Sequence, residues 1–112
     1  MEIAATKEML AIAIKRKPPF ICIVPEKRKE ITTEGGLNLN YKKRFLTNMI
    51  YRLKKNNSRV SIFIEPNMSD IKKAKFLKVD CIEIHTGKIC NLINANTGYA
   101  MEVKRIKKAV KL

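Results

Sequence analysis

Phe20, Ile21, Cys22, Ile23 and Val24 form an unbroken apolar run. It is too short for a helix that would bury itself on all sides, and it carries no polar residue to turn towards water. A strand of this composition needs cover on both faces, which is the situation of a strand inside a parallel sheet flanked by helices. The segments on either side of it repeat the same rhythm. Strands are predicted at Glu2 to Ala5, Phe20 to Val24, Val60 to Ile64 and Cys81 to His85, and helical periodicity fills the intervals between them. Strand and helix in alternation imply parallel pairing through right-handed crossovers. Two architectures share this rhythm, an open doubly wound sheet and part of a (β/α)8 barrel. No Gly-x-Gly-x-x-Gly turn follows any of the strands, which removes the most direct argument for a dinucleotide-binding sheet.

Each helix has its own local signals. Thr6 is placed to cap the first, with Glu8 in the first turn, an apolar face of Met9, Leu10, Ala13 and Ile14, and Pro18-Pro19 as the stop. Phe45, Leu46, Met49, Ile50 and Leu53 recur at three- and four-residue intervals in the second, which Asn56-Asn57-Ser58 ends. Asn67, with Asp70 three residues on, can cap a third helix carrying Ile71, Ala74 and Leu77. The stretch from Thr86 to about Asn96 is expected to be a loop. A last helix is expected to set Tyr99, Val103, Ile106 and Val110 on one side. Within the third strand Val60, Ile62 and Ile64 should face helices, while Ser61, Phe63 and Glu65 face the other way. In the fourth, Ile82 and Ile84 point one way and Cys81, Glu83 and His85 the other.

With 112 residues and an apolar fraction of 46%, residues 1–112 are expected to form a single small domain. No apolar run approaches the ~18 residues of a membrane span. Lys7, Glu8 and Lys15 to Lys17 interrupt the N-terminal region too soon for a signal peptide, so a cytoplasmic location and no membrane partner are expected. Three cysteines, an odd number, lack metal-ligand spacing. Cys22 and Cys81 fall in predicted strands as small apolar fillers and Cys90 in a predicted loop; reduced thiols and no metal are expected. The net charge of +14 invites a nucleic-acid reading. Against it, lysines occur on nearly every predicted helix, aromatics are few, and no zinc-finger, helix-turn-helix or RNA-recognition signature is present. Scattered charge of this kind is expected to be a solvated surface.

Between the second strand and the second helix lies Val24-Pro25-Glu26-Lys27-Arg28-Lys29-Glu30-Ile31-Thr32-Thr33-Glu34-Gly35-Gly36-Leu37. Loops at this position carry the sites of α/β enzymes. Lys27 and Arg28 supply charge, Thr32 and Thr33 hydroxyl donors, and Gly35-Gly36 allows backbone to approach a ligand closely, a phosphate-friendly combination. A solvated charged loop has the same composition.

The wording of this stretch resembles the corresponding loop of the pyridoxine 5'-phosphate synthase family, which closes the pyridine ring in one route to vitamin B6. Thr6-Lys7-Glu8-Met9-Leu10-Ala11-Ile12-Ala13 upstream and Ile82-Glu83-Ile84-His85-Thr86-Gly87 downstream are similar to that family in order and spacing. The resemblance implies a (β/α)8 barrel, of which this chain would be an internal fragment holding four parallel strands, the family's third to sixth. The Asn-x-Asp-His motif, the further catalytic histidines and the glycine-rich phosphate turns of the family would lie on strands outside it. The implied reaction condenses 1-deoxy-D-xylulose 5-phosphate with 3-amino-2-oxopropyl phosphate, without metal or organic cofactor, in a homo-oligomer. A non-catalytic half-barrel, as a gene relic or one piece of a split enzyme, is the alternative that the same resemblance leaves open; a basic nucleic-acid binder is a third class.

By the same resemblance Glu2 takes the place of a catalytic glutamate that serves as general base, a role suited to a carboxylate desolvated at a barrel mouth. Glu83 matches a second glutamate that stabilises charge or positions groups in the transition state, and its direction on the alternating strand agrees with a place in the site. A buried carboxylate satisfied by a neighbouring strand would look the same in sequence. Thr32 matches a residue that binds the deoxyxylulose phosphate. His85, the one histidine, shares the face of Glu83 and is expected to support the site from behind. Glu26 and Arg28 are candidates for ordering the loop over a substrate.

Overall fold

A computed structural model describes residues 1–32 and 35–111, so Thr33, Glu34 and Leu112, with the hydroxyl expected of Thr33, lie outside the described residues. The strands are β1 (Glu2–Ile3), β2 (Phe20–Ile23), β3 (Arg59–Ile64) and β4 (Cys81–Ile84). They form one sheet in the order β1-β2-β3-β4, and each neighbouring pair is parallel. The helices are α1 (Lys7–Arg16), α2 (Lys43–Lys55), α3 (Met68–Phe76), α4 (Gly87–Asn94) and α5 (Ala100–Val110). Sequential order within a parallel sheet is what repeated right-handed crossovers on one side produce, and it is the strand order of a barrel wall.

Side-chain parity divides the sheet into two faces. Ile3, Ile21, Ile23, Val60, Ile62 and Ile64 are all at most 2% exposed. They pack with Leu10 and Ala13 of α1, Leu46, Met49, Ile50 and Leu53 of α2, and Ile71 and Ala74 of α3. Each such side chain contributes about 1.5–3 kcal/mol on burial, so this layer dominates the stability of the chain. The helices dock where they do because their starts are fixed locally. Thr6 Oγ1 accepts the Met9 N–H at 3.1 Å, and Asn67 Oδ1 accepts the Asp70 N–H at 2.8 Å, both as the sequence implies.

Strand ends are pinned by polar contacts. Asp80, just before β4, accepts the Val60 N–H at 2.8 Å and faces Lys54 Nζ at 3.3 Å. The Val60 N–H holds the Asp80 carboxyl below its ordinary range, and Lys54 adds to this.

Four expectations need correction. The stretch after β4 is helical rather than a loop: α4 neighbours α5, with Ile89 and Leu92 half-buried and Ile93 exposed, and Asn96, in the left-handed region at φ 53°, follows its end. Of the side expected to be apolar in α5, Val103 and Ile106 are half-buried but Tyr99 and Val110 are 48% and 67% exposed, and the buried residues are Glu102 and Ala109. Buried Glu102 is met by Arg105 at 2.8 Å within α5 and by Lys88 of α4 at 3.8 Å. Cys81 is exposed rather than a filler, since among the described residues no layer covers its side of β4, and Cys90 is exposed on α4. Phe20, at the start of β2, is 60% exposed, so the apolar run is not covered along its whole length.

Candidate active site

The second face of the sheet carries polar chemistry. Glu2 pairs in register with Cys22, Cys22 with Ser61, and Ser61 with Cys81, so one row crosses all four strands. Phe63 and Glu83 form the next pair towards the carboxyl ends. Glu65 and His85 follow at the tips of β3 and β4. Ser61 Oγ lies 3.5 Å from both Glu83 Oε1 and the Ile21 carbonyl, at the limit of donation to either.

Cys22 links the two glutamates. Burial pushes its thiol up to about 11; the hydrogen bond with Ser61 works against this, while the Glu83 carboxylate, by charge and by hydrogen bond, and then the charge of Glu2 add to it. A thiol in that state is neutral near pH 7 and is no nucleophile. Glu2, the register partner of Cys22, and Glu83 both act on this sulfur through their charge. Both carboxylates are themselves exposed, so the desolvation expected of Glu2 is not supplied by the described residues, and Glu83 is not buried against a neighbouring strand.

Thr32 sits on the rim. Its Oγ1 accepts the Gly35 N–H at 3.2 Å and the Gly36 N–H at 3.1 Å, while its own N–H donates to the Gly36 carbonyl at 2.8 Å. This turn is laid on β3 through the Leu37 N–H and the Phe63 carbonyl, 2.8 Å apart. Among the described residues no hydrogen bond or ion pair joins Thr32 to Glu2 or Glu83. The glutamates therefore share a wall, and Thr32 belongs to a loop at its upper edge, beside Glu65 and His85.

Two glutamates that the sequence reading did not single out build that edge. Glu30 is buried, and its Oε2 accepts the Glu26 N–H at 2.9 Å and the Lys27 N–H at 3.3 Å, closing the short 3-10 turn Arg28–Glu30. Glu30 thus orders the loop, while the side chains of Glu26 and Arg28 are largely solvated. Glu65 is 2% exposed and accepts the Gly36 N–H at 2.7 Å. Its direction was available from the alternation of β3; its burial was not, because the loop that covers it is distant in sequence. His85 Nδ1 lies 3.6 Å from Glu65 Oε1, and its ring meets Phe63 at 5.1 Å. Among the described residues no three of His, Cys, Asp and Glu converge as metal ligands would.

A parallel sheet with helices on one face and carboxylates on the other is a frequent enzyme plan, and comparison with known proteins narrows it. The sequence profile described as "Pyridoxal phosphate biosynthesis protein PdxJ" matches residues 1–112. The chain belongs to the PdxJ family. It is 53% identical over 112 residues to a protein named pyridoxine 5'-phosphate synthase from Pelagibacter ubique, covering 100% of this chain and 47% of that protein. It is 50% identical over 91 residues to the protein of that name from Ehrlichia chaffeensis, covering 81% of this chain and 38% of the relative. For that of Ehrlichia ruminantium the identity is 47% over 111 residues, with 99% and 44% covered. The chain thus spans less than half the length of these relatives. Within the PdxJ family the four parallel strands and their helices are part of a (β/α)8 barrel, with the isoleucine face turned to the outer helices and the Glu2, Cys22, Ser61 and Glu83 face turned to the interior.

Proposed function

We propose that this chain carries two carboxylates and a substrate-holding loop of a pyridoxine 5'-phosphate synthase, which condenses 1-deoxy-D-xylulose 5-phosphate with 3-amino-2-oxopropyl phosphate and releases phosphate and water. The observation that supports it most is that Glu2, in register with Cys22 and Ser61, and Glu83, 3.5 Å from Ser61 Oγ, lie on one face of a PdxJ sheet, the face away from the helices. Ring closure requires repeated proton transfers to and from carbon and oxygen. Glu2 serves as the general base, and Glu83, beside the Ser61 hydroxyl, holds developing positive charge or orients the groups that exchange protons. Thr32 Oγ1 already accepts two backbone N–H groups, so its own proton points to a third party, such as an oxygen of the deoxyxylulose phosphate.

The expected partners are these phosphorylated small molecules and further copies of the family's subunit, in the cytoplasm. Neither nucleic acid nor membrane is part of this function. Among the described residues no helix is long and apolar enough to cross a membrane.

The 112 residues contain one histidine, and the histidines and phosphate turns implied by the family lie outside them. Each such group contributes about 10²-fold or more, so the 112 residues by themselves give no measurable turnover. The test titrates the purified chain with 1-deoxy-D-xylulose 5-phosphate by calorimetry and assays for pyridoxine 5'-phosphate. Binding that Thr32→Ala weakens, with no product above a Glu2→Gln control, is expected. Absence of binding, or binding indifferent to Thr32→Ala, overturns the role of the loop. Product formed by the wild-type chain above the control overturns its inactivity.

A further inference from the structure

Glu65 occupies a position that neither the ring-closing chemistry nor the packing of the outer helices requires. At 2% exposure its carboxylate is deeper than either glutamate assigned to proton transfer. A charge so placed costs several kcal/mol unless hydrogen bonds and counter-charges meet it. They do. Oε1 accepts the Gly36 N–H at 2.7 Å and stands 3.6 Å from His85 Nδ1, while Oε2 lies 3.9 Å from Arg105 Nη2. Arg105 is itself held by Glu102 at 2.8 Å.

The Gly36 N–H has two acceptors, Glu65 Oε1 at 2.7 Å and Thr32 Oγ1 at 3.1 Å. The shorter, charge-assisted bond dominates, which leaves the threonine oxygen only partly engaged. Backbone fit is close as well. A Cβ on Gly36 would come within 2.9 Å of Glu65 N and 3.0 Å of its Oε1, so only glycine permits this contact.

We propose that Glu65 is a positioning residue for the substrate loop: by holding the Gly36 N–H it fixes the turn that aims the Thr32 hydroxyl, and Arg105 ties that anchor to α5. This rests on the reading of Thr32 as a ligand-binding residue. Glu65 touches no reacting atom. Its effect passes through Gly36, so it governs affinity for the phosphorylated substrate rather than proton transfer.

The test uses the 112-residue chain, with amide hydrogen exchange at Gly36 followed by NMR and calorimetric titration with 1-deoxy-D-xylulose 5-phosphate. Glu65→Ala is expected to speed Gly36 exchange about tenfold or more and to weaken binding about tenfold, since a hydrogen bond to a charged group is lost. Glu65→Gln keeps an acceptor oxygen at the same reach, and should retain most of the protection and of the affinity. Thr32→Ala should weaken binding while leaving Gly36 protected. Slow exchange at Ile62 in β3 verifies the fold in every variant. Where Glu65→Ala does not fold, Glu65→Asp, charged but one methylene too short, carries the same expectation. Unchanged Gly36 exchange in Glu65→Ala or Glu65→Asp overturns the proposal, as does lost exchange protection with undiminished affinity. If the wild-type chain binds no ligand, the assignment of Thr32 and the aiming role that depends on it fall together, and Gly36 exchange then decides separately whether Glu65 anchors the loop.

Discussion

Alkylation of Cys22 followed against pH reads the assembly of the interior wall without requiring turnover. The thiol is pushed up to about 11 from an ordinary 9.0. At pH 8 that leaves about 1 in 1,000 molecules as thiolate, against about 1 in 10 for the same cysteine in the unfolded chain, so ionisation alone slows iodoacetamide about 100-fold. Peptide-resolved mass spectrometry separates Cys22 from Cys81 and Cys90, which are exposed. The midpoint of rate against pH, unlike the rate itself, does not depend on steric access. Removing Glu83 charge with Glu83→Gln should lower that midpoint and raise the rate at pH 8 by a factor of about two to ten. Glu2→Gln should move it in the same direction by less, and Ser61→Ala should move it upwards, since the serine hydrogen bond lowers the thiol. The linkage has a fixed sign. An acid whose folded pKa is raised loses its proton first in the unfolded chain, so stability falls as pH rises from about 9.0 towards 11, by at most about 1.4 kcal/mol per pH unit. If Glu83→Gln and Glu2→Gln both leave the Cys22 midpoint unmoved, the two carboxylates do not face this thiol, and the shared wall described above is wrong.

Asp80 makes the opposite prediction in acid. Its carboxyl is held below the ordinary value of 3.8 by the Val60 N–H and then by Lys54, so its contribution is complete above that value and is lost as pH falls through the folded one. The group is exposed, so the size is under about 1 kcal/mol. Urea unfolding at pH 7, 5 and 3 should show an acid loss in the wild type that is smaller in Asp80→Asn, and equal losses would refute the assignment. Gly35→Ala puts a side chain at φ +114° and a Cβ 2.8 Å from His85 Nε2. It should loosen the loop by about 1–3 kcal/mol, seen as faster tryptic cleavage at Lys27 to Lys29, with an unaltered cleavage rate as the contrary result.

The parts legible in the sequence are those fixed by neighbours along the chain. Thr6 and Asn67 cap the helices they precede because a side-chain oxygen needs to reach only three residues on. The facing of Ser61, Phe63 and Glu65 follows from strand alternation, and the inward side of Glu83 with it. Three family-like stretches gave the barrel, which the profile match over residues 1–112 shows.

What could not be read depends on contacts between distant segments. Glu65 becomes buried only when Gly36, 29 positions away, folds over it. The ion pairs of α5, Glu102 with Lys88 and Arg105 with Glu65, likewise join distant segments, which periodicity does not record. The helix α4 was hidden for a different reason. Gly87, Asn91 and Asn94 weaken helical propensity, and only Ile89, Leu92 and Ile93 speak for it. The separation of Thr32 from the two glutamates is likewise a matter of how the long loop lies across the strand tips.

The division of the sheet into an isoleucine face and a reactive face has a consequence for insertions and deletions. In β3 the even positions 60, 62 and 64 pack against the helices and the odd positions 61, 63 and 65 take the other face. Losing one codon inside this strand exchanges the two sets at a stroke, presenting a carboxylate to the greasy underside of the helices and aliphatic branches to the face that now holds Ser61 and Glu65. Point changes on the polar face disturb the scaffold less by comparison. Drift in this gene should therefore be recorded as substitutions rather than as single-codon losses within β3.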